Sequence, residues 1–514
     1  MKRPRLRLPW TFGSGPAVAA LFARVLALIS LVAWLSLGAQ VRVLIGARGL
    51  LPVGEFMDAV RGQPGVTLFD VPTLFWRFHS DAVLAGGVAV GAMLSVLAFL
   101  GVRRRLCFAL ATALYLSYAT VARDFLSFQW DNLLLECGLL AAFLPTAPGS
   151  APAPIAHFLF RFVLFKLYFE SGIAKWQSPI HDWQDGSAMT FYYETAPLPT
   201  WLAFYAHHLP VWWHHLESRA TLVLELVVPF AIFGPRPARL GAAATFTLFQ
   251  IANAATANYG FFCYLATALH LFLLDDRDVE WARARLARHV PAAVARLAGG
   301  LARLRPAPAA APAPSPRDPQ LRWLAVAGAA LFVLVSLAEA LTSFTNAAWV
   351  ESAAGPVLRF ERPFRLVNTY HLFQAITRER IEPEFQTLDE PPSPGHEFDD
   401  DVWTPHYLWH KPGDVRRAAD FVAPHQPRVD FQLWFYGLRR HHPAYVSTLV
   451  ERMCEDPAAV QPLFRVPLPP HPAAVRIVYW QYTFASPSEK RATGAWWHRE
   501  RVAVSRNIPC PAAP

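Results

Sequence analysis

The chain has 514 residues, of which 54% are hydrophobic and only 17% charged. That length exceeds one ordinary globular domain, and the balance excludes a conventional soluble protein, because so much apolar surface needs lipid around it. The 47 lysines and arginines outnumber the 38 acidic residues, but the arginines gather in short runs beside apolar stretches, which marks juxtamembrane charge rather than a nucleic-acid partner.

A helix needs about 17–25 predominantly apolar residues to cross a hydrocarbon core of about 30 Å. Nine stretches approach that length, at 17–39, 81–101, 106–122, 131–146, 156–174, 220–234, 239–257, 260–274 and 322–345. Those beginning at 131, 220 and 260 are short, so tilted or re-entrant helices are alternatives there, and eight spans is the rival count. The expected fold class is a membrane α-helical bundle of about eight to nine transmembrane helices, followed by a soluble α+β domain rich in antiparallel strands.

The first stretch follows Lys2, Arg3, Arg5 and Arg7 and is longer than the apolar part of a secretory signal, so residues 1–16 read as a cytoplasmic tail before an uncleaved anchor. Alternating from that start places Arg103, Arg104 and Arg105, then Arg236 and Arg239, then the arginine-rich stretch 277–322 on the cytoplasmic side. The same alternation sends loops 40–80 and 175–219, and the domain 347–514, to the periplasm or an equivalent lumen. The bundle domain is then 17–346, with a cytoplasmic segment at 275–321. In that segment, Trp281 to Leu304 has the spacing of a basic amphipathic helix, for anionic lipid or a partner or as a solvated connector, and Arg305 to Pro316 reads as a flexible Ala/Pro linker.

Beyond 347 the grammar changes. Arg365 to Ile376, Arg380 to Leu388, Val475 to Phe484 and Gly494 to Val504 read as strands, and Phe431 to Gly437 and Tyr445 to Met453 as helices. Cys107, Cys137 and Cys263 lie in apolar runs as small buried hydrophobes. Cys454 and Cys510 lie in the polar domain, where an oxidising compartment permits a disulfide; spacing alone leaves bonded and free thiols both open. None of the six asparagines begins a glycosylation sequon, which favours a bacterial inner membrane over the endoplasmic reticulum.

Ionisable residues inside apolar stretches are the sharpest functional signal, because a charge at the bilayer centre costs about 2.5–3.5 kcal/mol on insertion scales. Arg161, Lys166, Glu170 and Lys175 share one stretch, and Lys166 and Glu170 fall on one helix face at a spacing that suits an ion pair. Glu136 and Glu225 sit in other stretches, within reach of Arg161 or Lys175 across a bundle. Such groups serve either as a polar clamp between helices or as a substrate or proton site. Loop 175–219 is the densest polar and aromatic segment, and Tyr193, Glu194, His207, His208, Trp212, His214 and Glu217 in it are candidates for contact with a partner. The plainer reading of that composition is a belt at headgroup depth. Zinc is not expected, since no recognised ligand spacing occurs. Trp403, Tyr407, Trp409, Trp434, Trp496 and Trp497 are candidates for an exposed client face on the C-terminal domain, with the core as the expected place of most of them. No nucleophile elbow, phosphate loop or dinucleotide fingerprint is present, and no cofactor is expected.

Several motifs occur in a recognisable order: Trp130-Asp131-Asn132-Leu133-Leu134-Leu135-Glu136; Tyr193-Glu194-Thr195 with Pro197 and Pro199, leading to His207-His208-x-Pro210; and Asn258-Tyr259-Gly260-Phe261-Phe262. Further along come Val367-Asn368-Thr369-Tyr370, Thr377-x-Glu379-Arg380, Lys411-Pro412-Gly413-Asp414, Pro424-His425-Gln426-Pro427-Arg428-Val429-Asp430 and Thr493-Gly494-x-Trp496-Trp497. From about residue 40 to 500 the chain resembles the lipase maturation factor family, departing from its pattern at Phe431, where the family pattern has tryptophan. The resemblance implies a membrane-resident assembly factor, not an enzyme, that helps secreted lipases or other exported clients mature. A second reading is a membrane enzyme of the vitamin K-dependent carboxylase kind, which the bundle distantly resembles, with Lys166 or Lys175 as base and a His or Glu assisting, Glu170 being one candidate.

Overall fold

The computed structural model describes residues 15–145, 153–288, 319–345, 348–390, 402–438 and 442–511. The basic tail through residue 14, residues 289–304 of the expected amphipathic helix and the linker at 305–316 lie outside the described residues.

All nine apolar stretches are helical. They correspond to α1 (Pro16–Gly38), α2 (Asp81–Leu100), α3 (Arg104–Val121), α4 (Gln129–Ala141), α5 (Pro154–Trp176), α6 (Val211–Leu226), α7 (Arg236–Thr256), α8 (Phe262–Leu269) and α9 (Pro319–Phe344). Local signals set several ends. Pro16 and Pro154 occupy first-turn positions, where a missing N–H costs nothing. Ser80 caps α2 by accepting from the Val83 amide, and Gly101 ends it in the left-handed conformation.

Among the described residues, α1, α2 and the part of α9 from Trp323 to Phe344 are the three helices both long and apolar enough to cross a membrane. The others fall short for different reasons. α5 has 23 residues but carries Arg161, Lys166, Glu170 and Lys175, whereas the 13 residues of α4 span only about 20 Å. α6 runs on as a 3-10 turn, Val228–Phe233.

Close packing in the bundle depends on small residues. A Cβ on Gly91 of α2 would lie 2.2 Å from the ring of Trp34 on α1, and one on Gly172 of α5 would lie 2.9 Å from the Glu225 backbone on α6. Trp34 is fully buried, edge-on to Tyr115 and Tyr118 of α3 at 5.2 and 5.4 Å.

After α9 the chain forms α10 (Ala348–Glu361) and then an antiparallel sheet of β1 (Ile381–Leu388), β2 (Thr404–His406), β3 (Ala474–Phe484), β4 (Trp497–Val504) and β5 (Ile508–Pro509). The order is β2-β1-β3-β4, with β5 also on β3, and Phe385 faces Ile477 across the central pair. Helix α11 (Arg428–Gly437) packs on β1, and α12 (Ala444–Glu455) packs on β3. Cys454 in α12 is bonded to Cys510 beyond β5, with the sulfurs 2.02 Å apart.

The expected strand over Arg365 to Ile376 is not one. This segment is irregular and has no neighbouring strand; its amides are satisfied in another way, described below. Phe128 and Trp130, at the start of α4, meet Phe431 of α11 edge-on at 4.9 and 5.1 Å, so one apolar core runs through both halves of the chain.

Candidate functional site

The seam between the bundle and the C-terminal domain gathers most of the buried charge. Asp131, near the start of α4, is fully buried and accepts from both terminal nitrogens of Arg428, each at 2.8 Å, and from the Tyr115 hydroxyl at 2.6 Å. A buried carboxylate is tolerated only with such multiple partners. One turn and a half further along α4, Glu136 lies 2.9 Å from the Lys166 ammonium and also accepts from the Tyr370 hydroxyl of the C-terminal half. Lys175 is 2.8 Å from Glu225 and donates to the Leu372 carbonyl at 2.8 Å.

Lys166 therefore pairs with Glu136 and not with Glu170. The pairing is across helices, and the Glu170 carboxylate instead accepts the Tyr370 amide at 2.9 Å. Arg161, expected near Glu136 or Glu225, instead donates to the Phe272 carbonyl at 2.8 Å.

The irregular segment after α10 shows what these groups do. The amides of Val367, Tyr370, His371 and Ile376 donate to Glu361, Glu170, Gln129 and Asp182, at 2.6, 2.9, 3.0 and 2.7 Å. Side-chain oxygens, three of the four from the bundle, thus replace the ladder that a neighbouring strand would supply. A second segment, around residues 420–428, docks in the same way. Asn258 accepts from the Val422 and Ala423 amides at 2.7 and 3.0 Å and donates to the Asp420 carbonyl at 2.9 Å. Ser36 accepts the Gln426 amide at 2.9 Å, and Gln40 accepts the Arg428 amide at 3.0 Å. The sequence motifs, far apart along the chain, meet along this seam.

Loop 175–219 joins it at the edge. Glu194 accepts the Phe484 amide at 2.6 Å, and its own carbonyl accepts from Arg380 at 2.6 Å. Arg380 also donates to Ala196 and pairs with Glu382, which in turn lies 2.7 Å from Lys411. Tyr193 donates to Glu217 at 2.9 Å, Glu217 lies 3.3 Å from His214, and His214 contacts the His207 carbonyl at 3.1 Å. Burial, followed by His208 and His214, lowers the His207 pKa to about 4, so the imidazole is neutral 3.7 Å from Glu194. Burial raises the Glu194 carboxyl, against the Phe484 amide and Arg380. His208 turns inward to the Phe204 carbonyl at 2.7 Å.

Exposed apolar side chains, Trp201, Tyr205, Leu209, Val211, Trp212 and Leu216, give the loop an outward face, with Trp212 65% exposed, while Gln177, His181, Asp185 and Arg219 are the exposed polar groups of the same loop. Lys490 of the C-terminal domain reaches this face, donating to the Tyr205 hydroxyl at 2.9 Å and lying over the Trp496 ring at 3.7 Å. Two sequence candidates for an exposed client face do not belong to one. Trp403 is 5% exposed, packed with Leu388 and Ala474 under the Arg476 guanidinium, and Trp497 is 2% exposed, stacked on Phe484 at 4.3 Å. Both rings fill the domain core.

The arrangement is one of fastening. Each candidate lysine base is held against a buried carboxylate, and among the described residues no group of three or more His, Cys, Asp or Glu side chains converges to hold a metal. The sequence does not mark the backbone-binding residues Ser36, Gln40, Gln129, Asp182 and Asn258 as sites, although the motifs contain Asn258, because a side chain that binds backbone leaves no pairing signal in sequence.

Residues 17–281 match the lipase maturation factor transmembrane domain, and residues 366–506 match the lipase maturation factor C-terminal domain. Lipase maturation factor 2 of Homo sapiens is 30% identical over an alignment covering 94% of this chain and 81% of its own length. Lipase maturation factor 1 of Bos taurus is 30% identical, covering 93% and 86%. Lipase maturation factor 1 of Mus musculus is 28% identical, covering 93% and 84%. No solved structure matches. The chain belongs to the lipase maturation factor family.

Proposed function

We propose that this chain is a membrane-resident maturation factor for exported proteins, with a secreted lipase as the leading class of client. Membership of the family over nearly the whole chain carries the reading. The seam adds a physical picture. The bundle and the C-terminal domain act as one rigid platform, and the face at Trp201, Tyr205 and Trp212 is held at its rim beside Lys490. An apolar surface flanked by polar groups suits a partly folded client that has not yet buried its own core.

In this proposal the bundle, 17–346, crosses the membrane eight or nine times, the tail 1–16 is cytoplasmic, and 347–514 faces the periplasm from a bacterial inner membrane. Two independent observations support that orientation. Arginine runs at 103–105 and 277–288 both fall in segments that alternation puts on the side of the membrane away from the C-terminal domain. The disulfide between Cys454 and Cys510 suits an oxidising compartment. The client-contact residues are Trp212 and its exposed neighbours, while Tyr193, Glu194, His207, His214 and Glu217 hold the loop in place.

A photo-crosslinking residue at position 212 of the full-length chain, in cells secreting a lipase, tests the reading. Trapping of the immature lipase is the expected result. Trapping of lipid alone would assign this face to the bilayer and remove it as a client surface.

A further inference from the structure

A space in the bundle lies beside the seam but is not explained by it. α6 and α7 are joined through Val228–Phe233 yet touch each other little along their lengths. The wedge between them is floored by α5 and closed at the seam end by Leu372 and Phe373. It encloses about 60 Å³, room for roughly four waters or the end of a narrow ligand.

Its walls are mostly apolar, with a few polar groups converging, which is the composition of a small-molecule site. Lys175 and Glu225 line it but already neutralise each other at 2.8 Å. The Ser171 hydroxyl is likewise satisfied, by the Leu167 carbonyl at 2.7 Å. Gln250 is different. It is 3% exposed and donates to the Tyr168 hydroxyl at 3.0 Å, while its Oε1 has no hydrogen-bond partner. A buried carbonyl oxygen without a donor is costly, so a ligand bringing one is favoured. A hydroxyl suits this position best, because it donates and accepts and so satisfies the amide in either orientation. Leu167, Met189, Phe249, Phe262, Leu372 and Phe373 supply the apolar lining of the wedge, which selects an apolar body, whereas the exposed Leu248 and Ile251 lie on the opposite face of α7.

We propose that this wedge binds a neutral, single-chain amphiphile with a hydroxyl head, of the monoacylglycerol class, with the hydroxyl at Gln250 and the chain leading out between α6 and α7. A charged head finds no counter-charge there, since the one ion pair is already matched. The inference goes beyond the maturation role and stands or falls separately from it.

The test uses the purified full-length chain in lipid nanodiscs and a monooleoylglycerol analogue carrying a diazirine and an alkyne. Labelling is expected to concentrate on peptides from α5 and α7 that line the wedge. Unlabelled monooleoylglycerol should compete at least ten-fold better than oleic acid or lysophosphatidylcholine. Gln250→Leu should reduce labelling at least five-fold with an unchanged melting midpoint, and Ser171→Leu, which fills the space, should do the same. Equal competition by all three amphiphiles, or label confined to the outward positions Leu248 and Ile251, overturns the proposal and leaves water in the wedge and ordinary lipid outside it. The competition series needs no variant, so a variant that fails to fold does not shield the idea.

Discussion

The two ends of this bundle use the same ion pairs in opposite physical settings. At the seam, Arg428 and Asp131 are both fully buried. At the other end, Arg236 meets Asp275 and Asp278 with its side chain 36% exposed, and Asp275 and Asp278 also cap the following helix. Water screens the Arg236 pairs, so they contribute little, although Asp275 also holds the buried Arg239 at 3.0 Å. At the seam no water relieves a broken pair, so the cost of removing one partner is set by the charge left behind. The seam is therefore an all-or-none fastening, whereas Arg236 at the far end is a screened contact at the rim of a shared carboxylate.

The largest expected effect comes from Arg428→Met, which strands Asp131 in the core and should cost about 3–5 kcal/mol, read as lost thermal stability or lost inserted protein. Adding Asp131→Leu should recover most of it; a double variant as weak as the single one would break the distinction between the two ends. Cys454→Ser, which opens a link across 56 residues, should cost about 2–4 kcal/mol. That loss should appear as faster proteolysis within the C-terminal domain, with α1 to α8 still protected.

A smaller effect follows pH. His425 lies 2.9 Å from Ser36 across the seam, and burial, then His410 and Arg428, lowers its pKa to about 4. The neutral ring is the docked form. Its contribution is therefore complete above about pH 6.5, the ordinary histidine value, and is lost as pH falls towards 4. Melting curves across that window should flatten in His425→Asn. Least of all, Arg236→Gln should cost under about 1 kcal/mol and matter less in high salt. A loss as large as that of Arg428→Met would show that the far end is a fastening too.

Much of the bundle was legible from the chain, because apolar length and flanking arginine are local signals. The C-terminal strands from Ile381, Ala474 and Trp497 were legible for the same reason, through their alternation. The partners were not. Lys166 and Glu170 have ideal helical spacing, yet Lys166 turns to Glu136 on a neighbouring helix, a partner that spacing along one helix does not reveal. Arg365 to Ile376 resembles a strand because its amides do need regular acceptors; the acceptors are side chains from distant helices, which no local pattern reveals. Trp403 and Trp497 stand in polar surroundings in the sequence, but sheet pairing folds those surroundings away from the rings.

The pairing of Asp131 with Arg428 also sets an order of events during synthesis. A ribosome that has finished all of the bundle through α8 has not yet made Tyr370, Lys411 or Arg428. Asp131 must pass that interval without its counter-ion, and Asn258, Ser36 and Gln40 without the backbone they bind. The nascent bundle is thus visibly unfinished to any cellular machinery that detects stray polar groups in a membrane, until the last part of the chain arrives and closes it. A chain truncated before residue 428 keeps every helix of the bundle and still carries that mark.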